Sequence, residues 1–127
     1  MKNEFTPYDV ALALKELGFD EDVCGYFSKK KKLYIVSYEY NDVIKLLKAP
    51  TYSQAFRWFR EEYKLFGEVC LTTKQEDVES FEFGVLNVNE PLFESDDYTV
   101  YEQAELACLK KLIEIVNQNK EDEYKKR

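Results

Sequence analysis

The chain contains no histidine. That absence removes Ser-His and Cys-His hydrolysis, His-ligated zinc and imidazole proton relays. Glycine is scarce: Gly18, Gly25, Gly67 and Gly84 are the four, and they lie far apart. No phosphate cradle or dinucleotide fingerprint can be assembled from them. Gly18 and Gly67 read as helix C-caps and Gly84 as a strand kink or bulge. The three cysteines, Cys24, Cys70 and Cys108, form no Cys-x-x-Cys pair. This argues against zinc, iron–sulfur and thioredoxin-like chemistry. Each cysteine stands among apolar residues and reads as a buried small hydrophobe in a reducing cytosol. Long apolar runs are missing too. The longest, Val10 to Leu14, has five residues, whereas a membrane-spanning helix needs about 20. Met1-Lys2-Asn3-Glu4 is polar and leads straight into a helix signal, so no signal peptide is expected. The expectation is a cytoplasmic protein with no cofactor and no membrane contact.

What is present is a chain of 127 residues, 45% hydrophobic and 16% aromatic. Such a composition excludes a disordered or low-complexity chain. The size suits one α+β domain over residues 1–119, followed by a charged, fraying tail at 120–127.

Helix one is signalled by Thr6 as N-cap, Pro7 at the first helical position and Asp9 in the first turn. Phe5 and Val10 are spaced for a hydrophobic staple. Val10, Leu14 and Leu17 line one face, and Gly18 ends the helix. Residues 23–28 and 33–40 read as a strand pair joined by a polar turn, Lys29 to Lys32. Apolar residues on both faces of 33–40 predict a central or well-covered strand. A short helical turn is expected over Asp42 to Lys48. Helix two opens with a Thr51/Gln54 capping box and runs to about Lys64. Its stripe is Tyr52, Ala55, Phe56, Phe59 and Tyr63, with Trp58 beside it. Alternation then predicts strands at 67–74 and 80–88, with an edge strand at 92–95 that suits Pro91. Helix three is expected from a Thr99/Glu102 capping box to about Asn117, with a wide apolar arc.

The order is α-ββ-α-ββ-α, with three helices and an antiparallel four- to five-stranded sheet. Tyr52-Ser53-Gln54-Ala55 echoes Tyr101-Glu102-Gln103-Ala104, offset by one residue against the caps. The echo is either chance or the mark of two ββα units pairing into one sheet.

The stretch Ala49-Pro50-Thr51-Tyr52-Ser53-Gln54-Ala55-Phe56-Arg57-Trp58-Phe59-Arg60-Glu61 resembles segments of small proteins encoded by phages, prophages and mobile elements of gut bacteria. So does Tyr101-Glu102-Gln103-Ala104-Glu105-Leu106-Ala107-Cys108-Leu109-Lys110-Lys111-Leu112-Ile113-Glu114. The resemblance covers both helices and their aromatic strand pairs, and leaves out the N-terminal helix. It implies a small cytoplasmic accessory protein acting on host machinery, and it transfers no activity and no catalytic residue.

Charge is unevenly spread. Residues 1–64 hold 11 basic and 10 acidic groups, and residues 65–127 hold 7 basic and 15 acidic groups. Between Glu68 and Glu105 there are 11 acids and one base, Lys74. A concentrated negative field attracts a basic partner and mimics a phosphate backbone; the plainer alternative is a solubilising surface. The candidate partner-binding residues are Glu76, Asp77, Glu79, Glu94, Asp96, Asp97 and Trp58. The same carboxylates in Glu76-Asp77-x-Glu79 and Glu94-x-Asp96-Asp97 suit hard cations in type, but no EF-hand loop accompanies them. Trp58 reads as either core or a contact residue, and its exposure beside Leu65 would favour a homodimer or partner site. The alternative is a nucleic-acid patch of Lys29, Lys30, Lys31, Lys32, Arg57, Arg60 and Lys64, gripping by charge and stacking. The net charge of −7 opposes that alternative. No nucleophile has a base beside it, so the expectation is a binding module and not an enzyme.

Overall fold

The computed structural model describes residues 2–35, 46–72 and 79–126. Among these the helices are α1 (Tyr8–Glu16), α2 (Tyr52–Tyr63) and α3 (Tyr101–Lys125). The strands are β1 (Gly25–Phe27), β2 (Leu33–Ile35), β3 (Leu47–Ala49), β4 (Phe66–Thr72), β5 (Ser80–Leu86) and β6 (Pro91–Glu94). The chain forms two compact units, Met1–Ala55 and Phe56–Arg127, with the boundary inside α2. The α+β class stands, but a single four- to five-stranded sheet does not. Two antiparallel three-stranded sheets form instead, ordered β2-β1-β3 and β4-β5-β6.

In the first unit, α1 ends as Gly18 predicts. Gly18 takes φ +105°, the Phe19 N–H donates to the Leu14 carbonyl at 2.9 Å, and the Gly18 N–H to that of Lys15 at 3.0 Å. These two bonds form a Schellman motif, and glycine reaches that φ without Cβ strain. The start of α1 differs from the expectation. Pro7 occupies the cap position and no side chain caps the helix. Thr6 is buried, and both its N–H (2.9 Å) and its Oγ1 (3.0 Å) donate to the Pro50 carbonyl. Phe5 packs in a core cluster with Ala11, Phe27 and Ala49.

β1 is the central strand of this sheet, and the one expected to be central, β2, lies at an edge. Tyr34 is accordingly exposed. Val36, Tyr38 and Tyr40, the rest of its expected face, lie outside the described residues. Leu47 and Lys48, expected at the end of a helical turn, belong with Ala49 to β3, which pairs with β1, Gly25 opposite Ala49. Lys48 Nζ holds the chain leading into β1 by donating to Asp20 Oδ1 (3.1 Å) and the Glu21 carbonyl (3.0 Å). The expected capping box of α2 forms: the Thr51 N–H donates to Gln54 Oε1 at 3.0 Å, and the Gln54 N–H to Thr51 Oγ1 at 3.2 Å.

In the second unit, β4 and β5 pair in unbroken register from Phe66 opposite Leu86 to Thr72 opposite Ser80. β6 pairs with β5 through a register shift at Val85/Leu86, so the bulge lies beyond Gly84 and not at it. Gly67 is no helix cap. Lys64 takes the left-handed φ of 54° after α2, and Gly67 sits in β4. A Cβ there would stand 2.8 Å from Cys108 Sγ and 3.1 Å from Leu112 Cδ1. Glycine therefore lets α3 approach the sheet closely.

Ala104, Cys108, Leu109, Leu112, Ile113 and Val116 form the buried stripe of α3. The helix starts after Val100, without a side-chain cap, and not at the predicted Thr99 box. It continues past Asn117 to Lys125. The apolar period stops at Val116, yet the stretch beyond has no glycine or proline and includes the good helix formers Gln118, Lys120, Glu121, Glu123 and Lys125, which carry the helix on. Gln118 Nε2 donates to Asp122 Oδ1 across one turn at 3.4 Å. Among the described residues, no helix is long and apolar enough to cross a membrane.

Candidate functional site

Strand alternation decides which carboxylates share a face. The odd positions of β5 turn toward α3: Phe81 meets the Tyr101 ring edge-on at 5.5 Å, and Phe83 and Val85 are buried. The even positions of β4 and β5, and Glu94 opposite Gly84, therefore face away from α3. Register places Glu68 of β4 and Glu94 of β6 on either side of Gly84, and Glu82 opposite Cys70. Three carboxylates thus surround a residue with no side chain. Glu68 and Glu94 are exposed and Glu82 is half-buried.

The chain after β6 stays tied to β5. The Ser95 N–H donates to the Phe83 carbonyl at 2.9 Å, and Tyr98 and Phe81 exchange both backbone bonds at 2.6 and 2.7 Å. Ser95 Oγ accepts from the Phe83 N–H at 2.8 Å. Asp96 and Asp97 fall between these two anchors and are exposed. Glu79 is exposed just before β5, whereas Glu76 and Asp77 lie outside the described residues. Among the described residues, none of Glu68, Glu79, Glu82, Glu94, Asp96 or Asp97 forms an ion pair. Among the described residues, ion pairs form between Lys48 and Asp20 at 3.1 Å and between Lys111 and Glu114 at 3.2 Å. No group of three His, Cys, Asp or Glu among the described residues is placed to hold a metal ion.

At the start of α3, burial first and then the Glu102 charge raise the Glu105 carboxyl above its usual range. Burial and the same two acids raise Tyr101 as well. A raised acid favours folding fully only below its ordinary pKa of 4.5, and loses that contribution as pH rises through the folded value. Glu105→Gln should therefore melt higher than wild type at about pH 7, by roughly 1–3 °C because the site is half exposed. The difference should vanish below about pH 4. Equal melting temperatures at both pH values would show that burial does not strain this carboxylate.

The expected burial of all three cysteines is corrected: Cys24 and Cys70 are exposed and Cys108 alone is buried. Burial pushes the Cys108 thiol up to about 12, so it stays neutral near pH 7.

Trp58, offered as a contact residue, is only 5% exposed. Its ring packs edge-on against Phe59 at 5.2 Å and Tyr63 at 5.4 Å. It belongs to the core. The basic candidates fall in two units. Lys29 to Lys32 form an exposed turn in the first, closed by the Ser28 N–H donating to the Lys32 carbonyl at 2.9 Å. Two of these lysines lie over rings, Lys31 over Tyr8 at 5.2 Å and Lys32 over Tyr34 at 5.4 Å. Arg57, Arg60 and Lys64 are exposed along and just after α2 in the second unit.

Sequence reasoning missed a cleft of about 670 Å³ in the second unit, walled by Tyr63, Leu65, Leu92, Phe93 and Ile115. Lys111 Nζ stands 4.2 Å over the Phe93 ring within it. Part of its rim, including Lys120 and Glu123, comes from the stretch of α3 beyond Asn117. The one available signal was the Leu92-Phe93 pair on an edge strand.

Compared with known protein families, curated proteins and solved structures, the chain matches none.

Proposed function

We propose that this chain is a non-enzymatic module that binds a basic-surfaced protein through the acidic side of its second unit. One observation carries the reading. Glu68, Glu82 and Glu94 share the sheet face around Gly84, with Asp96 and Asp97 presented just beyond, and none is neutralised by a cation among the described residues. Unpaired carboxylates on one side sum into a field that steers a cationic partner and orients it on contact. The resemblance of α2 and α3 to phage and mobile-element proteins extends the proposal to a cytoplasmic accessory role on host machinery. The nucleic-acid alternative loses its largest stacking ring with Trp58 in the core.

The test is affinity capture from bacterial lysate, with partners identified by mass spectrometry. Capture of a basic protein should weaken between about 50 and 300 mM salt. Changing Glu94→Gln, Asp96→Asn and Asp97→Asn together should lower that partner's affinity about tenfold. The melting temperature should stay nearly constant, since exposed substitutions usually move stability by less than about 0.5 kcal/mol each. Unchanged affinity in the triple variant, or capture indifferent to salt, would overturn the reading.

A further inference from the structure

We infer that the outer edge of β4, unpaired among the described residues, is a strand-addition site for an extended segment in which basic and apolar residues alternate. The inference rests on the acidic-face reading and names what that face would hold.

Backbone direction fixes which groups of β4 are available. Phe81 bonds to Tyr98 and Phe83 to Ser95, so the odd residues of β5 aim their backbone groups toward the β6 side. The even residues Ser80, Glu82, Gly84 and Leu86 then aim theirs at β4. Through the register, Phe66, Glu68, Cys70 and Thr72 are the inward-bonded residues of β4. Gly67, Val69 and Leu71 therefore aim their N–H and carbonyl groups outward. None of the three makes another backbone bond among the described residues.

Proteins usually blunt such edges with proline, lysine, bulges or short strands. β6 has all but the lysine: four residues, Pro91 and a register shift against β5. β3, with described residues on both sides, is only three residues long. β4 has seven residues, no proline, no lysine and no bulge, and carries Leu71 at 59% exposure. An edge left this open is a template for an incoming strand.

Charge selects the occupant. On an added strand, the residues opposite Glu68 and Cys70 take the close, non-hydrogen-bonded positions, with Cα atoms about 4.5 Å apart. Lysine or arginine there meets Glu68, with Glu82 on the next strand. The intervening residues fall on the other side, beside Val69 and Leu71, and favour apolar types. A second copy pairing β4 with β4 would instead bring two sets of Glu68 and Glu82 onto one face with no cation between them, which is unfavourable.

The probe is a fluorescein-labelled peptide of alternating lysine and valine, about seven residues long to match β4, followed by anisotropy on the full chain. Saturable binding is expected, falling as salt rises. N-methylation of the peptide's pairing residues keeps its charge and removes the donors, and should weaken binding at least tenfold. Leu71→Pro removes one outward donor while sparing the bonds to β5, and should weaken it similarly. The peptide arm decides the matter even where that variant folds poorly. Equal binding of the N-methylated peptide overturns strand addition, while its salt dependence leaves the acidic-face reading standing. Equal binding of a glutamate–valine peptide overturns the basic occupant. Absence of binding overturns the site. A concentration-dependent dimer that Leu71→Pro abolishes would assign the edge to a second copy and overturn it as well.

Discussion

Phe59→Ala is expected to remove about 3–5 kcal/mol of stability, the usual cost of emptying a fully enclosed phenylalanine site. Phe59 has no exposed surface. Its ring lies edge-on to Trp58 at 5.2 Å and tilted to Tyr63 at 5.9 Å, so the substitution also removes aromatic contacts beyond simple burial. Folded domains keep only about 5–15 kcal/mol in total. A loss of this size should lower the melting temperature by roughly 10–20 °C in a chain of this length. Trp58 is the one tryptophan, so its fluorescence reports the neighbouring cavity: a red shift and broadening are expected in the folded variant. Phe59→Leu refills much of the volume and should cost roughly 1–2 kcal/mol. A Phe59→Ala loss under about 1 kcal/mol would mean that the site collapses without penalty and that this cluster is not the anchor of the second unit.

The elements differ in how readable they are. The Thr51/Gln54 box and the stop at Gly18 follow from bonds within a few residues, and the alternation of β4 and β5 and the edge preference of Pro91 follow from residue type along the strand. Thr6 fails for the opposite reason. Its hydroxyl has a local use as a helix cap, but a carbonyl 44 residues away claims it. β3 is too short to show a period, and Leu47-Lys48-Ala49 becomes a strand only because β1 offers a partner. Without it, the two strand pairs look like halves of one sheet. Periodicity sets Trp58 beside the apolar stripe of α2, yet Ala55, Trp58 and Phe59 are all buried. They span about 100° of a helical wheel, the ordinary width of a buried face.

The candidate site was legible as a count of acids and not as an arrangement. Nothing in the spacing of Glu68, Glu82 and Glu94 announces that they flank Gly84, since strand register is a long-range property set by both partners. The open edge of β4 was invisible for the same reason. A seven-residue alternating segment reads identically whether it is central or terminal in a sheet. Its terminal place emerges only once β6 is seen to occupy the other side of β5. The arrangement nonetheless has one internal logic. Carboxylates line the face beside the unblunted strand, and like charge on that face discourages copies of the chain from pairing with each other.

In the first unit the largest single effect is expected at Gly25. Its φ is not left-handed, so alanine there should gain about 0.4–1 kcal/mol from reduced freedom of the unfolded chain if space allowed. Space does not allow it. A Cβ would stand 2.5 and 2.7 Å from two ring carbons of Phe5, and 3.0 Å from the Ala49 carbonyl oxygen. The oxygen cannot retreat, because Ala49 is the paired partner of Gly25 in the sheet. Phe5 cannot swing away freely either: it packs with Ala11, Phe27 and Ala49, and its backbone bridges to Thr51. Sterics should therefore win. Gly25→Ala should destabilise by about 1–3 kcal/mol and Gly25→Val by more, read from denaturant melts. A second substitution should rescue the first. Phe5→Val removes the offending ring carbons, so in that background Gly25→Ala should cost much less than in wild type. The coupling between the two sites should exceed about 1 kcal/mol with the sign of relief. Strict additivity would show that the clash is absorbed elsewhere, and a stabilising Gly25→Ala would show that β1 and Phe5 do not approach as closely as their positions require.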